Sequence, residues 1–393
     1  KNMTTQSHRL RQGLQIGKIY QKVYGAWIYM KTTLNKLVAE STKRVEEEKH
    51  TCYWAADGYK FDNKNLALWY ESSTGSFVTF VDSQIDIIRN QLTNTSIDMS
   101  CDYNREYLKY LKTMYSEVHL FFSGGADSVT ILDTAVQNNI SIDKLICLTC
   151  DDIELECNRE IKLCAMPIAE KYTYEIVSTS YDQHAESYKD PLAFFRISGA
   201  VTTQFRSALD VNPNFIPQAD TVYIKGSDKP QLVKYNNKWY AVFLDSQMGG
   251  DYKHPNIKCF WLDAFNIKSY LKDALLYRQY LLENNLVKES LQFFKASQDP
   301  KIGAVLGRSS VINADAQHVK NQKYISSKAM QRTHDAIDAN HVDLLINYFT
   351  ARKTFNDILP DYTDSGKFAW FIDIDTLEVF TQEQLIPHGF KGV

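Results

Sequence analysis

The sequence predicts an α/β protein built on a mostly parallel, doubly wound sheet, with an inserted hairpin and helical additions at both ends. Three observations carry this. Between residues 116 and 225, short apolar β-prone runs alternate with helix-period segments, the rhythm of successive βαβ units. A glycine-rich turn, "SGGADS" at 123–128, joins the first such strand to the first such helix. The chain has 393 residues, 44% of them hydrophobic, enough for two or three packed units around a real core.

Taken in order, residues 10–50 read as largely helical, since Ile16, Ile19, Tyr20, Val23, Trp27 and Met30 recur at three- and four-residue steps. This helix is basic and aromatic enough to dock on a protein partner, although packing on its own domain is the preferred reading. Residues 51–82 read as a small hairpin or meander, with Asp62-Asn63-Lys64-Asn65 and Ser72 to Ser76 as turns. A helix over 103–116 follows. Next come a strand at "EVHLFF", a helix over 127–138, a strand at "KLICLTC", a helix over 153–172 interrupted near Pro167, and a strand at "TYEIVST". A helix opening at Pro191 and the strand "DTVYIKG" complete the parallel set. "QLVKYNNKWYAVFLD" breaks the rhythm as a hairpin inserted on Asn236-Asn237. Residues 264–296 and 327–358 read as helices, and "KFAWFIDIDTLEVFT" as a closing hairpin. The expected organisation is an N-terminal helix and hairpin region over 1–115, a nucleotide-binding core over 116–260, and a helical C-terminal region over 261–393.

Composition excludes some functions. A net charge of −3 argues against a general polyanion-coating role, so any phosphate binding must be built locally. Seven thinly spread cysteines predict reduced thiols of a cytoplasmic protein. No apolar run approaches the ~18 residues of a spanning helix, so no membrane partner is expected.

The chemistry concentrates at Ser123, Gly124, Gly125, Ala126, Asp127 and Ser128. After a parallel strand this loop lies at the carboxyl edge of the sheet, where open α/β folds bind ligands. Paired glycines let backbone N–H groups face an anion, and the following helix adds the positive end of its dipole. Ser123 and Ser128 add hydroxyls, and Asp127 makes sense beside phosphates if it holds a divalent cation. A Gly-Gly turn capped by Ser or Asp joins many strands to helices with no ligand, but the full sextet in this setting favours a phosphate site. It is not a Walker A loop, since no Gly-Lys-Ser/Thr follows, nor a dinucleotide fingerprint, since a third spaced glycine is missing.

"SGGADS" resembles the pyrophosphate-binding loop of the PP-loop ATP pyrophosphatases, within the PP-loop/HUP-like group of folds. "IKGSDKPQLVKYNNKWYAVFLD" and "CFWLDAFNIKSYLKDALLYRQYLLEN" also look like segments of phage-encoded asparagine-synthetase-like proteins. The resemblance implies ATP and Mg²⁺, cleavage of ATP to AMP and pyrophosphate, and adenylation of a carboxylate, amide or nucleobase carbonyl for attack by an amine. By that correspondence Ser123, Gly124, Gly125, Asp127 and Ser128 hold the phosphates and the metal. Thr149, Asp151 and Asp152 lie near the nucleoside. Lys225, Gly226, Asp228 and Lys229, after the fourth strand at the same edge, either face the phosphates from across the cleft or form an ordinary Gly/Pro turn with a solvated lysine; Ser123, Asp127, Ser128 and Lys225 form the expected catalytic set. No N-terminal cysteine of a glutaminase domain opens the chain, so the amine donor is expected from outside it. Two alternatives stay open: a binding or assembly module, of virion type, and an RNA or nucleobase thiolation enzyme. A homo-oligomer is compatible with each.

Four cysteines, Cys147, Cys150, Cys157 and Cys164, invite a metal or sulfur-transfer reading, but strand residues three apart point to opposite faces, and core thiols are favoured. Asp182 and His184 follow the third strand and suit acid-base work, though a solvated loop is the favoured reading. Arg196 and Arg206 are too far apart, ~15 Å along one helix, to grip one anion together, and Arg308 reads as a surface loop residue.

Overall fold

The computed structural model describes residues 30–48, 50, 52–150, 158–159, 161–180, 186–196, 217–226, 229–244, 255–296, 301–307, 342–360 and 369–385. Residues 10–29 of the expected N-terminal helix lie outside that set. Residues 30–47 are helical (α1), with Leu34, Leu37, Val38, Ser41 and Val45 buried at alternating three- and four-residue steps.

Strands β1 (Cys52–Ala56) and β2 (Tyr59–Phe61) form a hairpin across Asp57-Gly58, whose φ angles of 50° and 83° suit the two-residue turn that matches strand twist. The turn expected at Asp62 to Asn65 is instead the start of helix α2 (Lys64–Thr74). Asn63 caps it, accepting from Leu66 N at 2.9 Å, and Gly75 at φ 74° ends it. Polar residues bury here because they are bonded: Asn63 and Asn65 each donate to the Phe194 carbonyl at 3.0 Å, and Asp62 accepts from Ser41 and Arg44. Strand β3 (Thr79–Asp82) pairs with β1, giving a three-stranded antiparallel sheet ordered β2-β1-β3. Helices α3 (Gln84–Leu92) and α4 (Tyr103–Met114) lead to the second sheet.

That sheet has five strands, all parallel: β4 (Glu117–Phe121), β5 (Lys144–Cys150), β6 (Tyr174–Thr179), β7 (Thr221–Lys225) and β10 (Ile257–Cys259). Their order is β10-β7-β4-β5-β6. The chain builds outward from β4 to β6, then returns to β7 on the other side of β4, an order compatible with a Rossmann-like fold. Helix α5 (Ala126–Gln137) links β4 to β5, one residue earlier than expected. Of the helix expected over 153–172, the described part is a π-helical turn, Ile161–Ala165, followed by α6 (Met166–Ala169), with Pro167 in the first turn where its missing N–H costs nothing. Beyond β6, the described part of the helix expected after Pro191 is α7 (Ala193–Arg196).

The C-terminal region is not simply helical. Strands β8 (Gln231–Tyr235) and β9 (Lys238–Leu244) meet across Asn236 and Asn237, at φ 49° and 60°, and belong to a third sheet ordered β11-β8-β9-β12-β13, antiparallel throughout. Its other strands come from later in the chain: β11 (Leu291–Lys295), β12 (Ala369–Asp373) and β13 (Val379–Thr381). The helix expected over 264–296 is therefore shorter, α8 (Ile267–Glu283), entered through a 3₁₀ turn at Ala264–Asn266. Helix α9 (Ile302–Val305) is a single turn, and α10 (Val342–Ile358) falls within the helix expected over 327–358. One hydrophobic core joins the N-terminal unit, the parallel sheet, α8 and α10, and a smaller cluster around Val242 and Phe371 covers part of the third sheet. Among the described residues, no helix is long and apolar enough to cross a membrane.

Candidate functional site

The strand order reverses between β4 and β7, which are neighbours. Connections leaving adjacent strands in opposite directions open a crevice at their carboxyl ends. The two loops that the sequence singles out leave from these two strands, whose last residues, Phe121 and Lys225, are partners in the ladder.

Backbone contacts hold both loops. Gly124 has φ 65°, and a Cβ there would lie 2.4 Å from the Cys164 carbonyl carbon and 2.6 Å from Ala165 N. The first glycine is thus required by the chain's own π-helical turn, which presses against the loop from beneath. Gly226 approaches from the other strand, where an added Cβ would lie 2.9 Å from Ser128 N and 3.1 Å from Asp127 C. The β7 loop consequently rests on the first turn of α5.

Gly125 is the N-cap of α5, at φ −73° and ψ 155°, and no side-chain hydrogen bond caps the helix. The Ser and Asp of the loop therefore do not act as conventional caps. Ser123, exposed, accepts instead from Gly125 N at 3.3 Å, and Asp127 sits half-buried in the first turn, where a negative charge complements the dipole. Ser128 is buried and donates to the Gly125 carbonyl at 3.1 Å, so its hydroxyl braces the loop. The Lys225 ammonium lies 5.7 Å from the centroid of the Phe121 ring, held over the strand end. Thr149 is buried, and β5 carries it three residues past Ile146, the partner of Phe121, or ~10 Å beyond the end of β4. Lys229 is half-buried. Ala126 opens α5, while Asp151, Asp152 and Asp228 lie outside the described residues.

This donor set, a carboxylate, hydroxyls, helix N–H groups and an ammonium, fits a polyphosphate with a hard, oxygen-seeking cation such as Mg²⁺. Sulfur chemistry fits less well. Cys147 and Cys164 are buried, and burial pushes the Cys147 thiol up to about 11, away from the thiolate that ligation or sulfur transfer needs. Cys157 lies outside the described residues, and among the described residues no three His, Cys, Asp or Glu side chains group as a metal site. Arg196 is engaged elsewhere, pairing with Asp190 at 2.5 Å and Glu40 at 3.8 Å, and so ties α1 to the segment after β6. Asp182, His184, Arg206 and Arg308 lie outside the described residues. Sequence reasoning missed the π-helical turn behind Gly124; the only local sign of it was Pro167, which marks where the helix changes character.

No protein-family model matches the chain, and no curated protein is similar to it.

Proposed function

We propose that the crevice between β4 and β7 binds the triphosphate of ATP and that the protein is an adenylating enzyme of PP-loop type. The observation that carries this reading is the meeting of the two glycine loops at the strand-order reversal, with Gly226 packed on the first turn of α5 and that turn lacking a side-chain cap. The uncapped N–H groups and the exposed Ser123 hydroxyl receive phosphate oxygens. Lys225, steadied by Phe121, supplies positive charge from the second strand. Ser128 fixes the loop carbonyl so that the N–H groups keep their aim. Asp127 is the residue to hold magnesium, which when bound neutralises phosphate charge and stabilises departing pyrophosphate.

In the reaction this implies, an oxygen of a carboxylate, amide or nucleobase carbonyl attacks the α-phosphorus, the α–β bridging bond breaks and pyrophosphate leaves. An amine from outside the chain then displaces AMP. The protein's part is positioning and electrostatic stabilisation, with no covalent nucleophile required. ATP–pyrophosphate exchange tests this across a panel of carboxylate and nucleobase acceptors, with Asp127→Asn and Lys225→Met as controls. Label moves from pyrophosphate into ATP with the parent protein and is lost with either variant; no exchange and no AMP with any acceptor overturns the adenylation reading.

A further inference from the structure

The joint between the N-terminal unit and the parallel sheet contains a carboxyl group that the nucleotide site does not use. Asp82 ends β3, and Asp263 lies in the turn just after β10. Their neighbourhood is where the two units are fastened. The Gln84 side-chain oxygen accepts from Ala264 N at 3.2 Å, Tyr107 of α4 meets the Phe260 ring edge-on at 5.2 Å, and Tyr110 stacks on Phe265 at 5.0 Å. Further along, α8 is tied to the segment before α4 through Lys268 to Thr95 and Lys272 to the Cys101 carbonyl, and to α4 itself through Ser269 to Asn104.

The two carboxyls are not equivalent. Asp263 is only 2% exposed, but its oxygens are used: one accepts from Phe265 N at 2.9 Å and the other faces the Lys258 ammonium at 3.4 Å. Asp82 is 3% exposed; its Oδ1 accepts from Gln84 N at 2.8 Å, while its buried Oδ2 has no hydrogen-bond partner. A buried carboxylate oxygen in that position carries a full desolvation cost that a proton removes.

We propose that Asp82, buried with an unpartnered oxygen beside the Gln84–Ala264 bridge, carries a proton in mildly acid solution, and that loss of this proton slackens the joint between the N-terminal unit and the parallel-sheet core. Burial pushes the Asp82 carboxyl up to about 6, against the lowering effect of the Gln84 N–H, and the negative charge of Asp263 adds to the rise. The titratable groups around the pair are Asp263 and Lys258 from the β10 side, Tyr107 and Tyr110 from α4, and the buried thiols of Cys52, opposite Asp82 in the ladder, and Cys259. Both phenols are raised by burial first and then by the Asp263 charge, so neither ionises in the range where Asp82 does. A pair of carboxylates with an ammonium already on one of them makes a proton site rather than a cation site.

The direction follows from linkage. With the folded-state value raised above the unfolded one, the stabilisation is complete below about 4 and is lost as pH rises through about 6. Urea unfolding of the full chain, followed by tryptophan fluorescence from pH 5 to 7, is compared with the same series for Asp82→Asn. The folding constant of the parent protein falls about ten-fold relative to that of the variant across this range; parallel pH series overturn the proposal. Should Asp82→Asn not fold, the parent protein labelled with carbon-13 at its aspartate carboxyls decides, since one resonance titrates near 6 and moves down in Asp263→Asn. If no aspartate titrates above 5, the proposal fails. Hydrogen exchange, corrected for intrinsic pH dependence, locates the effect: segments 84–92 and 260–266 open faster at pH 7 than at pH 5 relative to the β8–β9 hairpin, whereas a uniform change contradicts a latch at this joint.

Discussion

The adjacent glycines of the β4 loop separate the structural from the ligand-binding part of the site. Replacing Gly124 by alanine forces a side chain into φ 65°, which costs about 1–2 kcal/mol for an L-residue. It also drives a methyl group to 2.4–2.6 Å from the backbone of Cys164 and Ala165, atoms that cannot rotate away. Overpacking of that kind adds about 1–3 kcal/mol, so Gly124→Ala should lose roughly 2–5 kcal/mol of stability. Gly125 sits at φ −73° and ψ 155°, backbone angles that any residue adopts. Gly125→Ala should therefore leave stability unchanged or raise it by about 0.4–1 kcal/mol through the unfolded chain. Its methyl group, at the uncapped mouth of α5, should weaken ATP binding about ten-fold, or 1.4 kcal/mol. Urea unfolding and calorimetric ATP titration of both variants give the two readouts. Equal destabilisation by the two substitutions would refute the division of labour, as would Gly125→Ala binding ATP with parent affinity.

Other residues give further tests. Asn63→Ala removes the α2 cap and one of two donors to the Phe194 carbonyl, and should cost about 1–2 kcal/mol in urea unfolding. Cys147, its thiol pushed up to about 11 by burial, should stay unmodified by iodoacetamide at pH 8 until the protein is unfolded, as read by mass spectrometry of the tryptic peptide. Lys225→Met keeps an alkyl chain over Phe121 but removes the charge; ATP affinity should fall about ten-fold and vary less with salt, with thermal stability within about 0.5 kcal/mol of the parent.

The parts of this fold legible in the sequence are those whose signals are local. The run "EVHLFF" followed by "SGGADS" and an apolar-periodic stretch located β4, its loop and α5 to within a residue, because strand period, glycine turn and helix period are all encoded within twenty positions. Asn236-Asn237 likewise marked its own turn. Helix α2 was hidden because Asp, Asn and Lys serve turns and helix starts alike, and what decides for a helix is Phe194, 131 residues away from Asn63. Strand β10 is only three residues long and exists through its pairing with β7, and β11 looks like the end of a helix until β8 is placed beside it. At the site, the positions of Gly124 and Ser128 could be read, but their roles could not. The π-helical turn that demands Gly124, and the loop carbonyl that engages Ser128, appear only once the chain is folded.

The central claim is that triphosphate oxygens lie against the uncapped start of α5, between the β4 and β7 loops. Crystals of the full chain grown with ATP and magnesium test it most directly. The account predicts phosphate density within hydrogen-bonding reach of Ser123 and the first-turn N–H groups, with Asp127 at the metal and Lys225 opposite. Nucleotide seated elsewhere, or a β4 loop filled by the protein's own side chains in the presence of saturating ATP, would contradict it.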